Sequence, residues 1–175
     1  MIRPVDIALS YEGVREEGGP NRGTEVERFL RTVGKPWGLP WCAAFVCTCV
    51  LEAYQANYNE AGNVGPIDPK SLPIPLTSGV MALWMLTPIK RRTSPRAGAA
   101  FIIDKGVNPR TGARMGHTGF VVSVEGNRVH TIEGNTDKGG SREGDGVYKR
   151  ARWISDILGF IDVEPNNAKV PVLNA

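Results

Sequence analysis

The sequence lacks the features of several protein classes. Its longest apolar run, around Trp41 to Leu51, is too short and too interrupted to cross a bilayer, so no membrane insertion is predicted. The N-terminal stretch MIRPVDIALSYEGVREEGG contains an arginine but neither a continuous apolar core nor a small-residue cleavage site. We therefore expect no secretory signal, and a protein that stays in the cytoplasm after synthesis unless another system exports it.

Cysteine and histidine are scarce, with three and two copies respectively. On one helix Cys42 and Cys49 would share a face while Cys47 would point away, so no internal disulfide is expected. A metal site made of these cysteines and a histidine is a possible alternative, but the three do not converge and no CxxC pair exists. No segment has the acidic spacing of a calcium loop. The sequence predicts neither a metal nor a cofactor.

The balance of charge is only slightly basic, with a formal net charge of +3. Basic residues form two clusters, which are typical of solvated faces: Lys90, Arg91, Arg92 and Arg96, then Lys149, Arg150 and Arg152. Attraction to an anionic polymer fits this pattern, and a nucleic-acid role is not predicted.

Three helices are predicted from apolar periodicity, over residues 24–33, 41–56 and 78–86. Thr24 is the expected N-cap of the first, with Glu27 completing a capping box. The second has apolar residues around much of its surface and should be central and buried. Residues 57–76 are rich in Gly, Pro and Asn and predict a long surface loop.

After Pro95 the pattern changes to strands, predicted over residues 98–104, 117–125, 128–135, 146–154 and 158–164. Helices followed by an antiparallel meander indicate an α+β domain. A chain of 175 residues fits one such domain. We expect it to span residues 1–164, with residues 165–175 as a loosely ordered tail.

Cys42 lies where the second helix should begin. The first turn of a helix has unpaired backbone amides and the positive end of the helix dipole, and both favour the thiolate, which is the attacking species. The same amides can hold the oxyanion that forms when an acyl carbon is attacked. A cysteine on an apolar helix is more often a packing residue, and we interpret Cys47 and Cys49, deeper in the helix, in that way.

A thiolate nucleophile needs a general base that also protonates the leaving amine. His117 stands at the predicted start of a strand, where its side chain can lean over a neighbouring helix end. His130 lies in the middle of a strand, where a role in the core or on the surface is expected. His117 is therefore the candidate base.

The imidazole must in turn be oriented by a third group, and Glu133 and Asn135 share a face of the next strand. Whether they reach His117 depends on the hairpin register. A tight Gly126-Asn127 turn would pair Phe120 with Glu133 and leave His117 on the opposite face. We therefore predict a three-residue loop, or a bulge that corrects the face.

Four segments in this order resemble the CHAP family of cysteine, histidine-dependent amidohydrolases and peptidases: Trp41–Val46 (WCAAFV), Pro95–Gly98 (PRAG), Gly116–Val122 (GHTGFVV) and Ile132–Thr136 (IEGNT). The likeness covers roughly residues 20 to 163. It implies a papain-like α+β fold with N-terminal helices packed on an antiparallel sheet of about five strands. It also implies cleavage of amide bonds in bacterial peptidoglycan.

Carried over by position, the resemblance implies that Cys42 is the nucleophile, His117 the base, Glu133 the orienting acid and Asn135 an auxiliary polar group. Glu133 and Asn135 could exchange roles, since relatives differ in this respect. Papain has an oxyanion-donating glutamine six residues before its cysteine, and here that position is Pro36.

Trp37 and Trp41 flank the nucleophile. Flat aromatic faces suit sugar rings and peptide backbones, so both are candidate substrate-binding residues, with ordinary packing as the alternative. Trp41 is the better candidate of the two for a residue that lines the cleft.

The expected function is thus that of a peptidoglycan hydrolase, an amidase or endopeptidase that is monomeric and acts in the periplasm or cell wall after delivery. A phage lysin and a toxin delivered by a secretion machine both reach the wall without a signal peptide, and for the toxin an immunity protein is the expected partner. The rival interpretation is a catalytically silent binding module or phage structural component that keeps the fold.

Overall fold

The fold is an α+β arrangement of four helices and one antiparallel sheet, seen in a computed structural model that describes residues 1–137 and 144–165. The helices are α1 (Pro4–Ser10), α2 (Thr24–Thr32), α3 (Cys42–Glu60) and α4 (Val80–Leu86). The strands are β1 (Arg91–Arg92), β2 (Ala100–Val107), β3 (Arg114–Glu125), β4 (Arg128–Thr136), β5 (Gly146–Trp153) and β6 (Gly159–Ile161). The sheet order is β1-β6-β2-β3-β4-β5.

Helix α3 is the centre of the molecule. All of its residues from Cys42 to Val50 are buried, because α1, α2 and the sheet cover it on different sides. Its apolar residues therefore do not form a single stripe, which matches the prediction of a central helix. The long loop that follows starts later than predicted, since α3 continues to Glu60.

The central part of the sheet is buried on both faces. One face packs against the helices through Ile102, Phe120 and Ile132, which belong to the main core. The other face carries a smaller cluster that contains Phe101, Val121, Val129 and Phe160. Residues on either face of β3 and β4 can therefore be shielded from water, including polar ones.

The structure corrects several details of the predicted elements. Helix α1 and the two-residue strand β1 were not predicted, so the sheet has six strands rather than about five. Thr24 is not an N-cap, because the cap residue is Gly23, with φ of 117°, and no side chain caps this end. The predicted loose tail lies outside the described residues except for Pro165.

Candidate active site

Cys42 is the first residue of α3, as the sequence predicts. The residue before it, Trp41, is held at three points. Its ring stacks on Phe29 with centroids 5.6 Å apart, its indole Nε1 donates to Glu16 over 2.9 Å, and its carbonyl accepts the Phe45 N–H over 2.8 Å. These contacts fix the start of the helix, and with it the position of the sulfur.

The β3–β4 hairpin combines a tight turn with a bulge. Glu125 pairs with Arg128, so the turn consists of the two residues Gly126-Asn127. The register then shifts between Val121 and Ser123, which leaves Val122 as one extra residue in β3. The structure confirms the predicted bulge and excludes the three-residue loop.

This bulge puts the histidine and the glutamate on one face of the sheet. Beyond it Phe120 pairs with Ile132, whereas an unbroken ladder from the same turn would pair Phe120 with Glu133. Strand side chains alternate between faces, so His117 and Glu133 now point the same way. The described pairs between β3 and β4 begin at Phe120, and from Gly119 to Arg114 strand β3 pairs only with β2.

His117 and Glu133 form a direct, buried hydrogen bond. The ring Nε2 lies 2.7 Å from Glu133 Oε2, and the two side chains are 7% and 0% exposed. Gly119 makes room for the carboxylate, because a Cβ atom at Gly119 would lie 3.0 Å from Glu133 Cγ and 2.5 Å from the Ile132 carbonyl oxygen. His117 is the fourth residue of β3 and not its first, since the strand starts earlier than predicted.

Two further residues hold the Glu133 carboxylate. Arg152 donates from Nε to Oε1 over 2.9 Å and from Nη2 to Oε2 over 2.5 Å. The Thr131 hydroxyl donates to Oε1 over 2.6 Å. The sequence interpretation of Arg152 as part of a solvated basic face is wrong. Arg152 lies on β5, which pairs with the strand that carries Glu133. Its planar guanidinium can bind both oxygens of a carboxylate at once.

The sulfur of Cys42 lies against the same imidazole. Burial disfavours its charged form, but the hydrogen bond and the charge of His117 outweigh burial and lower the pKa of the Cys42 thiol below its ordinary value. Backbone amides of Ala43 and Thr118 act in the same direction. Since Nε2 of the ring faces Glu133, the other ring nitrogen, Nδ1, is the one available to the sulfur.

The histidine and the glutamate are shifted toward their charged forms too. Burial alone would lower the pKa of His117, yet the hydrogen bonds to Cys42 and Glu133 raise it to about 9. Burial would raise the pKa of Glu133, but Arg152 and His117 lower it to about 2. All three shifts therefore favour the charged forms, which are thiolate, imidazolium and carboxylate in a row.

The other cysteines and the other histidine are placed differently. Cys47 and Cys49 are fully buried, and burial raises the pKa of Cys47 to about 12 and that of Cys49 well above its ordinary value. His130 is on the surface near the hairpin turn, 3.0 Å from Glu125. All three match the structural roles predicted for them. Among the described residues no group of His, Cys, Asp or Glu side chains could hold a metal ion.

Asn135 lies beside the start of α3, and its amide bonds to Trp41 and Gly144 instead of orienting His117. In the amide orientation that satisfies both of its ends, Oδ1 accepts the Trp41 N–H over 3.1 Å and Nδ2 donates to the Gly144 carbonyl over 3.0 Å. Its backbone is left-handed, with φ of 54°, a conformation that asparagine tolerates better than most residues. Asn135 thus supports the start of α3, and Glu133 contacts the histidine.

The two tryptophans have different environments. Trp41 is 0% exposed, because its ring lies in the core against Phe29, so it has no face open to a substrate and the expectation that it lines the cleft is not supported. Trp37 is 57% exposed, and the Arg22 guanidinium lies 4.0 Å from its ring centroid.

A cleft of about 830 Å³ opens above these groups, with Cys42, His117 and Asn135 among the residues that line it. Basic side chains come from the end of β2, the β2–β3 connection and the start of β3, namely Lys105, Arg110 and Arg114. Acidic side chains come from elsewhere, from Glu16 and Asp145. Arg114 is paired with Asp104, and Asp145 with Arg15. The lining of the cleft thus contains side chains of both charges, and two of them are held in ion pairs.

A family model for the CHAP domain matches residues 34–135, more than half of the chain. The matched range contains Cys42, His117, Glu133 and Asn135, whereas Arg152 lies beyond its end. No curated protein and no solved structure matches the chain. In the part of the chain that the structure describes, no helix is long and apolar enough to span a membrane.

Proposed function

The chain belongs to the CHAP family, and on this premise we propose that it is a peptidoglycan hydrolase, a cysteine amidase or endopeptidase that cleaves amide bonds through a thioester on Cys42. The observation that carries the proposal is the meeting of Cys42 and His117 in one cleft, with the buried Glu133 carboxylate bonded to the far side of the imidazole. Residues 1–164 would form its single catalytic domain.

Formation of the thioester uses the thiolate and the protonated imidazole together. The Cys42 sulfur attacks the amide carbonyl carbon, and the carbonyl electron pair moves onto oxygen. When the tetrahedral intermediate collapses, the carbon–nitrogen bond breaks and the leaving amine takes a proton from His117. The ring nitrogen that faces the sulfur, Nδ1, supplies this proton.

Hydrolysis of the thioester returns the enzyme to its starting state. His117, now neutral, takes a proton from a water molecule as that water attacks the thioester carbonyl. Collapse of the second intermediate releases the carboxylic acid and the Cys42 thiolate, while the imidazolium is regenerated. Throughout both steps Glu133 remains ionised and keeps the ring in one orientation, because its pKa of about 2 prevents protonation.

The charges of the cleft support a peptide substrate of the wall. Wall peptides present carboxylates and amino groups, and the cleft has basic and acidic side chains on different elements. Exposed Trp37 is a candidate for stacking on a sugar ring or peptide plane, since it precedes Gly38, whose N–H donates to the cleft residue Asn21.

The route to the wall is part of the proposal. The protein would be synthesised in the cytoplasm and act in the periplasm or cell wall as a monomer, delivered either during phage lysis or by a secretion machine. In the second case an immunity protein that covers the cleft would be its partner.

The test is wall degradation by Cys42→Ala and Cys42→Ser, with Cys49→Ala as the matched control from the same helix. We expect purified peptidoglycan to be solubilised by the native protein and by the control, and not by either Cys42 variant, with all proteins equally folded by circular dichroism. Mass spectrometry of the released fragments identifies the bond. Full activity of Cys42→Ala would reject the proposal, and wall binding without hydrolysis by the native protein would favour a silent binding module.

A further inference from the structure

The oxyanion of the proposed reaction needs donors other than those that hold the sulfur. The Ala43 amide interacts with the Cys42 sulfur itself, and the Trp41 amide donates to Asn135. The Cys42 amide, in the first turn of α3, is one remaining donor. Hydrolases of this kind stabilise the oxyanion with a pair of donors, so a second one is required.

Asn21, which lines the same cleft as Cys42, has an uncommon backbone conformation. Its φ is 55°, in the left-handed region. Its N–H donates to Glu16 Oε2 over 2.8 Å and its carbonyl accepts the Gly38 N–H over 3.0 Å. Backbone strain of this type persists where the surroundings fix it on both sides, and it is concentrated at functional sites.

The same carboxylate connects Asn21 to the nucleophile. While Oε2 of Glu16 accepts from Asn21, its Oε1 accepts from the indole Nε1 of Trp41 over 2.9 Å. Trp41 directly precedes Cys42 and is fully buried. The loop that carries Asn21 is therefore fastened to the residue next to the reactive sulfur.

The side chain of Asn21 is available for a ligand. Asn21 lines the same cleft as Cys42 and His117. The hydrogen bonds described for Asn21 use its backbone groups, and within residues 1–137 and 144–165 none is described for its side-chain amide. A side-chain amide can donate hydrogen bonds, and this one belongs to a residue that borders the same cleft as Cys42.

We propose that the side-chain amide of Asn21 is the second oxyanion donor, acting with the backbone N–H of Cys42. The inference rests on the proposed function. In papain a glutamine six residues before the cysteine donates to the oxyanion. That position is Pro36 here, which has no side-chain donor, and Asn21 would take over its role. When the C–S bond forms and the carbonyl electron pair moves onto oxygen, the two N–H groups bind that oxygen. They bind it less strongly in the ground state, where it carries little charge.

The test compares Asn21→Gly and Asn21→Asp with the native protein. Glycine accepts the left-handed conformation and removes the amide, so it isolates the side chain from the backbone strain. Aspartate keeps the size of the side chain but replaces the donor with an acceptor. For both variants we expect kcat for peptidoglycan hydrolysis to fall about 10²- to 10³-fold with little change in KM.

A second readout separates oxyanion binding from folding and from thiolate formation. The rate of Cys42 alkylation by iodoacetamide, a reaction without an oxyanion, should stay within about threefold of the native rate in both variants. Affinity for a small peptide aldehyde, which forms a tetrahedral adduct with the thiolate, should fall along with kcat.

The outcomes distinguish this inference from the proposed function. If Asn21→Gly keeps native kcat while Cys42→Ala is inactive, the hydrolase assignment stands and Asn21 is not the donor. If Cys42→Ala is active, the proposed function itself fails. A parallel fall of alkylation, aldehyde affinity and thermal stability in Asn21→Gly would show a structural role and overturn the inference.

Discussion

The guanidinium of Arg152 binds both carboxylate oxygens of Glu133, with Nε 2.9 Å from Oε1 and Nη2 2.5 Å from Oε2. The carboxylate is fully buried and the arginine side chain is 19% exposed. A buried carboxylate would otherwise tend to take up a proton, so this contact keeps Glu133 charged. The orientation of His117 therefore depends on a residue that has no described contact with the imidazole or the sulfur.

Replacing Arg152 with Met should lower activity and stability together. Removal of one partner of a buried ion pair typically costs about 3–5 kcal/mol of unfolding free energy. The kcat should fall by about 10- to 100-fold, by analogy with the loss of outer partners of metal-bound histidines. Chemical denaturation and wall-hydrolysis kinetics measure the two effects.

The pH profile shows whether Arg152 acts through Glu133. Without the guanidinium the pKa of Glu133 rises, so activity should be lost at a higher pH on the acid side than in the native protein. Arg152→Lys should restore part of the activity, and Arg128→Met, which alters a surface arginine stacked on Trp153, serves as the control. An unchanged acid limb in Arg152→Met would contradict this role.

The rate of hydrolysis should depend on pH through the Cys42–His117 pair. The thiolate is present above the pKa of Cys42, which the imidazolium lowers, and the imidazolium is present below the pKa of His117, about 9. The rate is therefore expected to rise at a pH below the ordinary range of thiols and to fall as the pH passes about 9. A pH series of kcat/KM measures both limbs.

Iodoacetamide alkylation isolates the acid limb, since it requires only the thiolate. In His117→Ala the midpoint should move to higher pH, because burial then acts without a compensating charge. A native midpoint at or above about 8.5, the value of an unperturbed thiol, would argue against the ion pair.

Only one of the three cysteines should react with iodoacetamide in the folded protein at neutral pH. Cys42 borders the cleft, whereas Cys47 and Cys49 are fully buried and have raised pKa values because of that burial. Mass spectrometry should find one adduct on the native chain, none on Cys42→Ala and three after denaturation. A second adduct on the folded native protein would refute this selectivity.

Trp37→Ala should raise KM for peptidoglycan about threefold to tenfold, because one exposed aromatic contact contributes about 1 kcal/mol to binding. The free energy of unfolding should change by less than about 0.5 kcal/mol, since the residue is on the surface. Trp153→Ala is a matched control, since Trp153 is 49% exposed and stacks with Arg128 at 4.1 Å, much as Trp37 does with Arg22 at 4.0 Å. Equal KM values for the two variants would remove Trp37 from the binding surface.

The parts of the site that could be predicted are those with few competing candidates. The chain has only two histidines, and of these only His117 lies at the predicted start of a strand, where it can reach a helix end. Cys42 is predicted from its place in the first turn of a helix with apolar periodicity. The bulge could be predicted, because with a tight turn and no bulge Glu133 and His117 would lie on opposite faces of the sheet. Its location at Val122 could not, since a bulge leaves no distinct residue pattern there.

The parts that were missed depend on direction and on register between strands. Trp41 is adjacent to Cys42 in sequence, but as the residue before the first helical position it directs its ring into the core against Phe29. Arg152 resembles any surface arginine of a strand until β5 is aligned with β4, and that alignment includes a register shift beyond Glu133. Local periodicity does not contain this information.

The one-residue offset in β3 has a consequence for how this hairpin tolerates change. What matters at Val122 is that β3 has one residue more than β4 at this point. The shift in strand register should persist whichever side chain occupies position 122. Sequence variation by substitution between Val121 and the turn should therefore leave the glutamate facing the histidine. Gain or loss of a single residue between Ile132 and Glu133 would instead rotate the carboxylate to the helical side of the sheet.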